Sequence, residues 1–353
     1  MDEQTLALSA QAGDAQAFTT LTERYRRELF VHCYRMLGSV QDAEDILQEA
    51  LLKAWARRET YESRASFRAW LYKIATNACL DALRQRRRLG SFEDDQDSAA
   101  RLEASPSADL RGVEPLSSDL LPSYEPDPEA VVLLRESVSM AFMSVLHRLS
   151  ARQRAILILR DVLNWEAKEV AQFLETTESA VNSALLRARE ALAIQSPARH
   201  AEQHSKTRLS ASGLANLLRR YTDAWQRTDM DALLALVQED ILITMPPVEL
   251  WYQGLDGLAA FMQVVFSPER AWKLIPMQAN GQAAFALYLR LEASQPARYQ
   301  LISLQICTIV AHSDSEGRIA RLDNFLVGDT PILPEPLPAD WLARFGLSAE
   351  ILE

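Results

Sequence analysis

From Leu6 to Arg88 apolar residues recur at helical spacing almost without a break, with Gly13 and Gly38 as the only punctuation. A stretch this long with one period folds as an all-helical unit, residues 1–88. The period is lost from Leu89 to Glu129, where five prolines and eleven acidic residues stand against Arg101 and Arg111. Such a composition buries too little apolar surface to order itself, so 89–129 is expected to be an acidic flexible linker. Helical periodicity resumes over 130–195, and 196–213 is a second polar connection.

The character changes again from Leu214. "LANLLRRYTDAWQRTDMDALLALV" predicts two helices, and "FALYLRL" alternates strictly, with Phe285, Leu287, Leu289 and Leu291 on one side. Ile302, Leu304, Ile306 and Val310 mark a long strand, and Tyr299 to Val327 reads as an antiparallel hairpin. Helices followed by a curved antiparallel sheet predict an α+β domain over 214–328. A proline-rich tail, 329–353, ends in a short amphipathic turn around Trp341, Leu342 and Phe345 that could dock elsewhere on the chain. At 353 residues the chain exceeds what one core holds, consistent with several units.

The formal net charge of −11 is unevenly spread. The linker carries −9 and the tail from Asp329 onward −4; setting both aside leaves +2 for the folded parts, which does not oppose an anionic partner. No apolar run approaches the roughly 20 residues that span a bilayer, and the acidic start lacks a signal-peptide layout. A cytoplasmic protein with no membrane partner is expected. Cys33, Cys79 and Cys307 are far apart in apolar periodic surroundings, which reads as buried free thiols; no metal and no cofactor are expected.

Three motifs carry chemistry. On the helix "DAEDILQEALLKAW", Ala43, Leu47, Ala50, Leu51 and Ala54 form the buried stripe and Asp42, Asp45, Glu49 and Lys53 an exposed acidic ridge, either a solvated face or a contact. On "FRAWLYKIATNACLDALRQRRR" a second stripe runs through Trp70, Lys73, Asn77, Asp81, Arg84 and Arg88. Cations for phosphates, an amide for base edges and an aromatic for stacking suit nucleic acid, the alternative being a core Trp70 and arginines that serve the helix dipole. The loop before it, with Tyr61, Ser63, Arg64 and Ser66, has the groups that capture an unstacked base.

The third motif is "LSARQRAILILRDVLNWEAKEVAQFLETTESAVNSALLRARE". Ser150 caps one helix, Asn164 and the "ETT" turn break the chain, and Thr177 caps a helix whose apolar side is Val181, Ala184, Leu185, Ala188 and Leu192. This describes a helix-turn-helix, with Ser179, Asn182 and Ser183 at base edges, Leu186 against a thymine methyl, and Arg187 and Arg189 on phosphates.

Together the three motifs, over Phe18–Arg88 and Leu149–Leu192, resemble the two regions of extracytoplasmic-function sigma factors. The resemblance implies a protein that recruits core RNA polymerase to promoter DNA and helps melt the start region. Asp42, Asp45, Glu49 and Lys53 would dock on the polymerase. Tyr61, Arg64, Trp70, Lys73, Asn77, Arg84 and Arg88 would engage the minus-ten element. Ser179, Asn182, Ser183, Leu186, Arg187 and Arg189 would engage the minus-thirty-five element. Glu175 departs from the glycine common at its place in the family, so the turn must be made without the easy left-handed residue.

Residues 214–328 resemble the SnoaL-like members of the NTF2-like cone fold, so the fold class is two all-α sigma domains, a helical bundle and a helix-turn-helix, followed by an α+β cone. A small-molecule ligand would lie between helices and sheet, against Tyr221, Trp225, Trp251, Tyr288 and Asp323, of which Asp323 is either a functional carboxylate or a solvent-facing strand residue. The expected role of this domain is regulation in cis of a non-enzymatic factor, helped by the high effective concentration a short tether gives. The alternative is a small-molecule enzyme with a DNA-binding appendage.

Overall fold

The computed structural model describes residues 2–62, 66–88, 110, 112–122, 128–195, 209–267, 269–291, 297–311, 317–327 and 342–352. Helices α1 (Glu3–Gln11), α2 (Ala15–Leu37), α3 (Val40–Ala56) and α4 (Phe67–Arg88) build the first unit. Asp14 starts α2 by accepting from the Gln16 and Ala17 amides, and Gly38 ends it at φ 82°. A Cβ on Gly38 would lie 2.5 Å from Cε1 of His147, so glycine is required there both by its conformation and by the approach of a distant residue.

The second unit consists of α5 (Pro128–Glu136), α6 (Met140–Arg148), α7 (Ala151–Leu157), α8 (Ala167–Phe173) and α9 (Glu178–Gln195), with a π-helical turn at Ile158–Val162. Ser150 and Gln153 form a capping box at α7. Between α8 and α9 Glu175 itself takes the left-handed conformation, φ 50°, and the Thr176 amide bonds back to the Ala171 carbonyl at 2.9 Å. The turn keeps its shape at the cost of about 1–2 kcal/mol that a glycine would not incur.

The third unit holds α10 (Ala211–Gln226), α11 (Met230–Leu234), β1 (Val237–Met245), β2 (Val248–Gln253), α12 (Gly254–Val265), β3 (Trp272–Ala279), β4 (Gln282–Leu291), β5 (Arg298–Ala311), β6 (Gly317–Leu326) and β7 (Glu350–Leu352). Strand order is β2-β1-β6-β5-β4-β3, with β7 on β5. The sheet is mixed rather than wholly antiparallel, because β1 runs parallel to β6 after the intervening chain returns to the same end. Helix α12, embedded among strand signals, is an element the periodicity reading did not include.

Both faces of the central strands of this sheet are buried. Phe285, Leu287 and Cys307 pack inward with Tyr221, Trp225, Leu258 and Met262 of the helices. Ala284, Ala286, Tyr288, Leu304, Ile306 and Phe325 face outward into one core that is continuous with the two helical units. Strands β4 and β5 are apolar on both sides, which a one-face reading of the alternation does not register.

The expectation of a flexible linker is corrected for residues 110 and 112–122; residues 89–109, 111 and 123–127 lie outside the described residues. Leu110, Val113, Leu116 and Leu121 are buried. The segment does not order itself; it orders against neighbours on both sides. The Glu114 amide donates to the Gly38 carbonyl at 2.9 Å, and its carboxylate accepts from Ser39 Oγ at 2.9 Å and the Val40 amide at 2.8 Å, capping α3. Ser117 bridges to Ala279.

The tail docks, with Leu342, Phe345, Leu347 and Ile351 on the shared core and Tyr288 Oη donating to the Ser348 carbonyl at 2.9 Å. Trp341 lies outside the described residues. Arg344 reaches Gln41 Oε1 at 2.9 Å and Glu114 Oε2 at 3.5 Å. All three cysteines are buried and free.

One side chain engages both helical units and the linker at once. Asn280, fully buried at φ 53°, donates from Nδ2 to Tyr34 Oη at 2.9 Å and to the Val138 carbonyl at 2.7 Å. Its Oδ1 accepts from the Leu116 amide at 2.8 Å, and its own amide donates to the Leu116 carbonyl at 2.7 Å. It thus ties α2, the linker, the turn between α5 and α6 and the β3–β4 turn.

Candidate functional site

The acidic ridge is present on α3 with its members in different states. Asp45 and Glu49 are exposed, and Glu49 pairs with Lys53 at 2.5 Å. Asp42 turns aside into an ion pair with Arg86 of α4, so it braces the ridge from below. Leu52, between Glu49 and Lys53 on the exposed side, is 71 % exposed. A leucine left in water beside two carboxylates is a contact candidate that the charge pattern missed; its position outside the apolar stripe was the available signal.

On α4, Asn77, Arg84 and Arg88 are exposed along one side, Lys73 is partly covered, and Arg84 is within 3.0 Å of Asp81. Tyr61 is not an open base-capturing group. It is buried, edge-on to Phe67 and Trp70 at 5.4 and 5.7 Å, and burial pushes its phenol pKa up. Its neighbours made it look like a loop residue, whereas Phe18, Trp55 and Phe67 supply an aromatic cluster that absorbs it. Trp70 is half-buried on the same cluster. Arg64 and Ser63 lie outside the described residues.

The exposed face of α9 is the most coherent surface. Val181, Ala184, Leu185 and Ala188 are buried, while Ser179, Asn182, Ser183, Leu186 and Arg187 are all exposed, Leu186 at 59 %. The Thr177 hydroxyl accepts from the Ala180 amide at 3.1 Å, fixing the amino end that would approach a groove. Arg189 is exposed too, and both its Nε and Nη2 are directed at Asp161, at 3.0 and 2.7 Å.

The five cone residues are not brought together. Tyr221 and Trp225 face inward, where Tyr221 Oη donates to Gln305 and Gln305 Nε2 donates to Asn324 Oδ1 at 2.6 Å. Trp251 is 40 % exposed, because Leu250 and Tyr252 on either side of it face inward. Tyr288 alternates with Phe285 and Leu287 and so lies on the outer face. Asp323 also lies on the outer face and is 0 % exposed, so the solvent-facing reading is corrected, and it does not meet Tyr221. It accepts from Thr244 Oγ1 at 2.6 Å and from Arg321 Nε at 2.8 Å, and Arg321 Nη1 reaches Ser144 Oγ of α6 at 3.4 Å. The carboxylate belongs to the joint between sheet and helix-turn-helix unit.

A helical bundle with an acidic ridge and a basic helix, followed by a helix-turn-helix whose second helix keeps a small polar face exposed, is the architecture of a DNA-binding transcription factor. Sigma-70 region 2 matches residues 21–89, Sigma-70 region 4 matches 139–192, and a SnoaL-like domain matches 218–322. The ECF RNA polymerase sigma factor SigG of Mycobacterium tuberculosis is 41 % identical over 285 residues, 77 % of this chain and 74 % of that one. SigJ of the same organism is 32 % identical over 222 residues, 63 % of this chain and 62 % of that one. The crystal structure of Mycobacterium tuberculosis SigJ shares the fold, with TM-score 0.56 and 23 % identity over 94 % of this chain and 100 % of that one. The chain belongs to the extracytoplasmic-function sigma factors, RNA polymerase sigma factors that act with core polymerase at promoters, and it carries a SnoaL-like domain at its carboxyl-terminal end. No helix among the described residues is long and apolar enough to cross a membrane.

Proposed function

We propose that Asp45, Glu49 and Leu52 contact core polymerase, with Asp42 and Lys53 supporting them. Asn77, Arg84 and Arg88, with Lys73 and Trp70 beside them, engage the minus-ten element. Ser179, Asn182, Ser183 and Leu186 read the minus-thirty-five element, and Arg187 holds phosphate. The SnoaL-like domain acts in cis as a restraint rather than as an enzyme, and the protein works in the cytoplasm beside its polymerase.

The observation that carries the restraint is the Asn280 node, which engages both helical units and the linker at once. With the units held this way, Arg35 Nε donates to the Ser137 carbonyl at 3.2 Å, Arg154 donates to the Met36 carbonyl, and α4 packs on α7, which in turn packs on α9. Packed helices lie about 10 Å apart, so two such steps put α9 roughly 20 Å from α4. Elements about 25 base pairs apart are separated by roughly 85 Å of duplex at about 3.4 Å per pair. A closed chain reaches one element at a time, so initiation requires opening, and the SnoaL-like domain opposes it.

The ridge is tested by capturing core polymerase on the full chain. Asp45→Arg with Glu49→Arg should weaken capture by about tenfold or more while leaving the melting temperature unchanged, since both residues are exposed. Full capture by the double variant would remove the ridge from the account.

A further inference from the structure

Arg189 lies seven residues after Asn182, about 20° short of two full helical turns, and so on nearly the same side of α9. A guanidinium there has phosphates within its natural reach. Instead its fork is closed on Asp161, Nε to Oδ2 at 3.0 Å and Nη2 to Oδ1 at 2.7 Å, a two-pronged charge-assisted contact between elements 28 residues apart. The carboxylate sits on a firm platform. Asp161 belongs to the π-helical turn after α7, whose neighbour Arg160 donates to the Trp165 carbonyl, while the Trp165 amide donates to the Leu159 carbonyl at 2.9 Å. Trp165 is buried with its ring 6.1 Å from Phe173 of α8.

Among the described side chains of α9 the buried ones are Val181, Ala184, Leu185 and Ala188, and since Ala184 and Ala188 present a single methyl each, contacts outside this apolar seat share in setting the azimuth of the helix. We infer that Asp161 is a specificity-determining residue of promoter recognition: it holds Arg189 as a positioning residue, fixing the azimuth at which Asn182 and Leu186 meet the groove. It also withholds that cation from phosphate, which would add affinity for any sequence. Arg187, exposed two residues earlier, remains the phosphate contact. The inference rests on α9 being the minus-thirty-five reader.

The test uses holoenzyme assembled from core polymerase and the full chain, and two duplexes: a promoter selected from a randomised pool with the wild type, and the same duplex with its minus-thirty-five element scrambled. Asp161→Asn and Arg189→Ala should each lower the affinity ratio of the two duplexes by about fivefold, the low end of one base contact's discrimination. The double variant should fall no further, because the two residues act as one unit. Asp161→Asn should also steepen the salt dependence on scrambled duplex by about one charge, as Arg189 becomes free for phosphate. Arg189→Lys, which keeps the charge without the fork, should lose discrimination like Arg189→Ala. If Arg189→Ala weakens both duplexes equally and Asp161→Asn leaves the ratio unchanged, Arg189 is a phosphate contact and the inference falls. Asn182→Ala separates the two levels. A lost ratio for Asn182→Ala beside intact ratios for the pair overturns the inference alone, whereas an intact ratio for Asn182→Ala overturns the reading of α9 and the inference with it.

Discussion

Replacing Asn280 with alanine should destabilise the closed arrangement by about 3 kcal/mol, with the melting transition moving down accordingly. Alanine leaves the Leu116 amide and the Val138 carbonyl buried without their partner, each a cost of about 1–3 kcal/mol, and removes the donor to Tyr34 Oη. It must also hold φ near 53°, which asparagine tolerates and alanine does not. Burial raises the Tyr34 phenol pKa, so it stays protonated and cannot compensate by ionising. Hydrogen exchange gives the site-resolved measurement: the Leu116 amide should lose its protection in Asn280→Ala. Retained protection together with an unchanged melt would show that the node does not hold the units.

Asp323→Ala should cost about 3–5 kcal/mol in chemical denaturation, the range for removing one partner of a buried ion pair. Arg321 would keep its charge against the sheet with its side chain only 12 % exposed and its carboxylate gone. Exchanging both residues together for apolar ones of similar size should cost much less, since no uncompensated charge remains. A catalytic carboxylate behaves in the opposite way, losing turnover with little loss of stability. A stable Asp323→Ala protein would therefore revive the enzyme reading.

What was legible in the sequence follows from local periodicity. Asn182, Ser183 and Leu186 opposite Val181, Ala184 and Leu185 needed only the 3.6-residue repeat, and Asp45 and Glu49 likewise. Tyr288 was legible too: a residue between Leu287 and Leu289 must face away from both, so the same alternation that predicted the strand excluded it from the cone. The linker was harder to read. Leu110, Val113, Leu116 and Leu121 are apolar residues scattered in an acidic background, and their burial depends on surfaces supplied by α2 and the β3–β4 turn, far away in the chain. Asn280 before Gly281 marks a hairpin turn, but nothing local indicates that its amide serves three other segments. The pairing of Arg189 with Asp161 is equally non-local, and a phosphate role was the natural reading of an arginine beside a reading face.

In the proposed mechanism the free chain is closed and the SnoaL-like domain keeps it so. Energy transfer between dyes on cysteines introduced at exposed Thr20 of α2 and Gln172 of α8 measures this directly, the native cysteines being buried. Transfer should be high in the free chain, fall when core polymerase is added, and be low from the start in a chain truncated after Lys206. Equal transfer with and without polymerase, or high transfer in the truncated chain, would contradict the account.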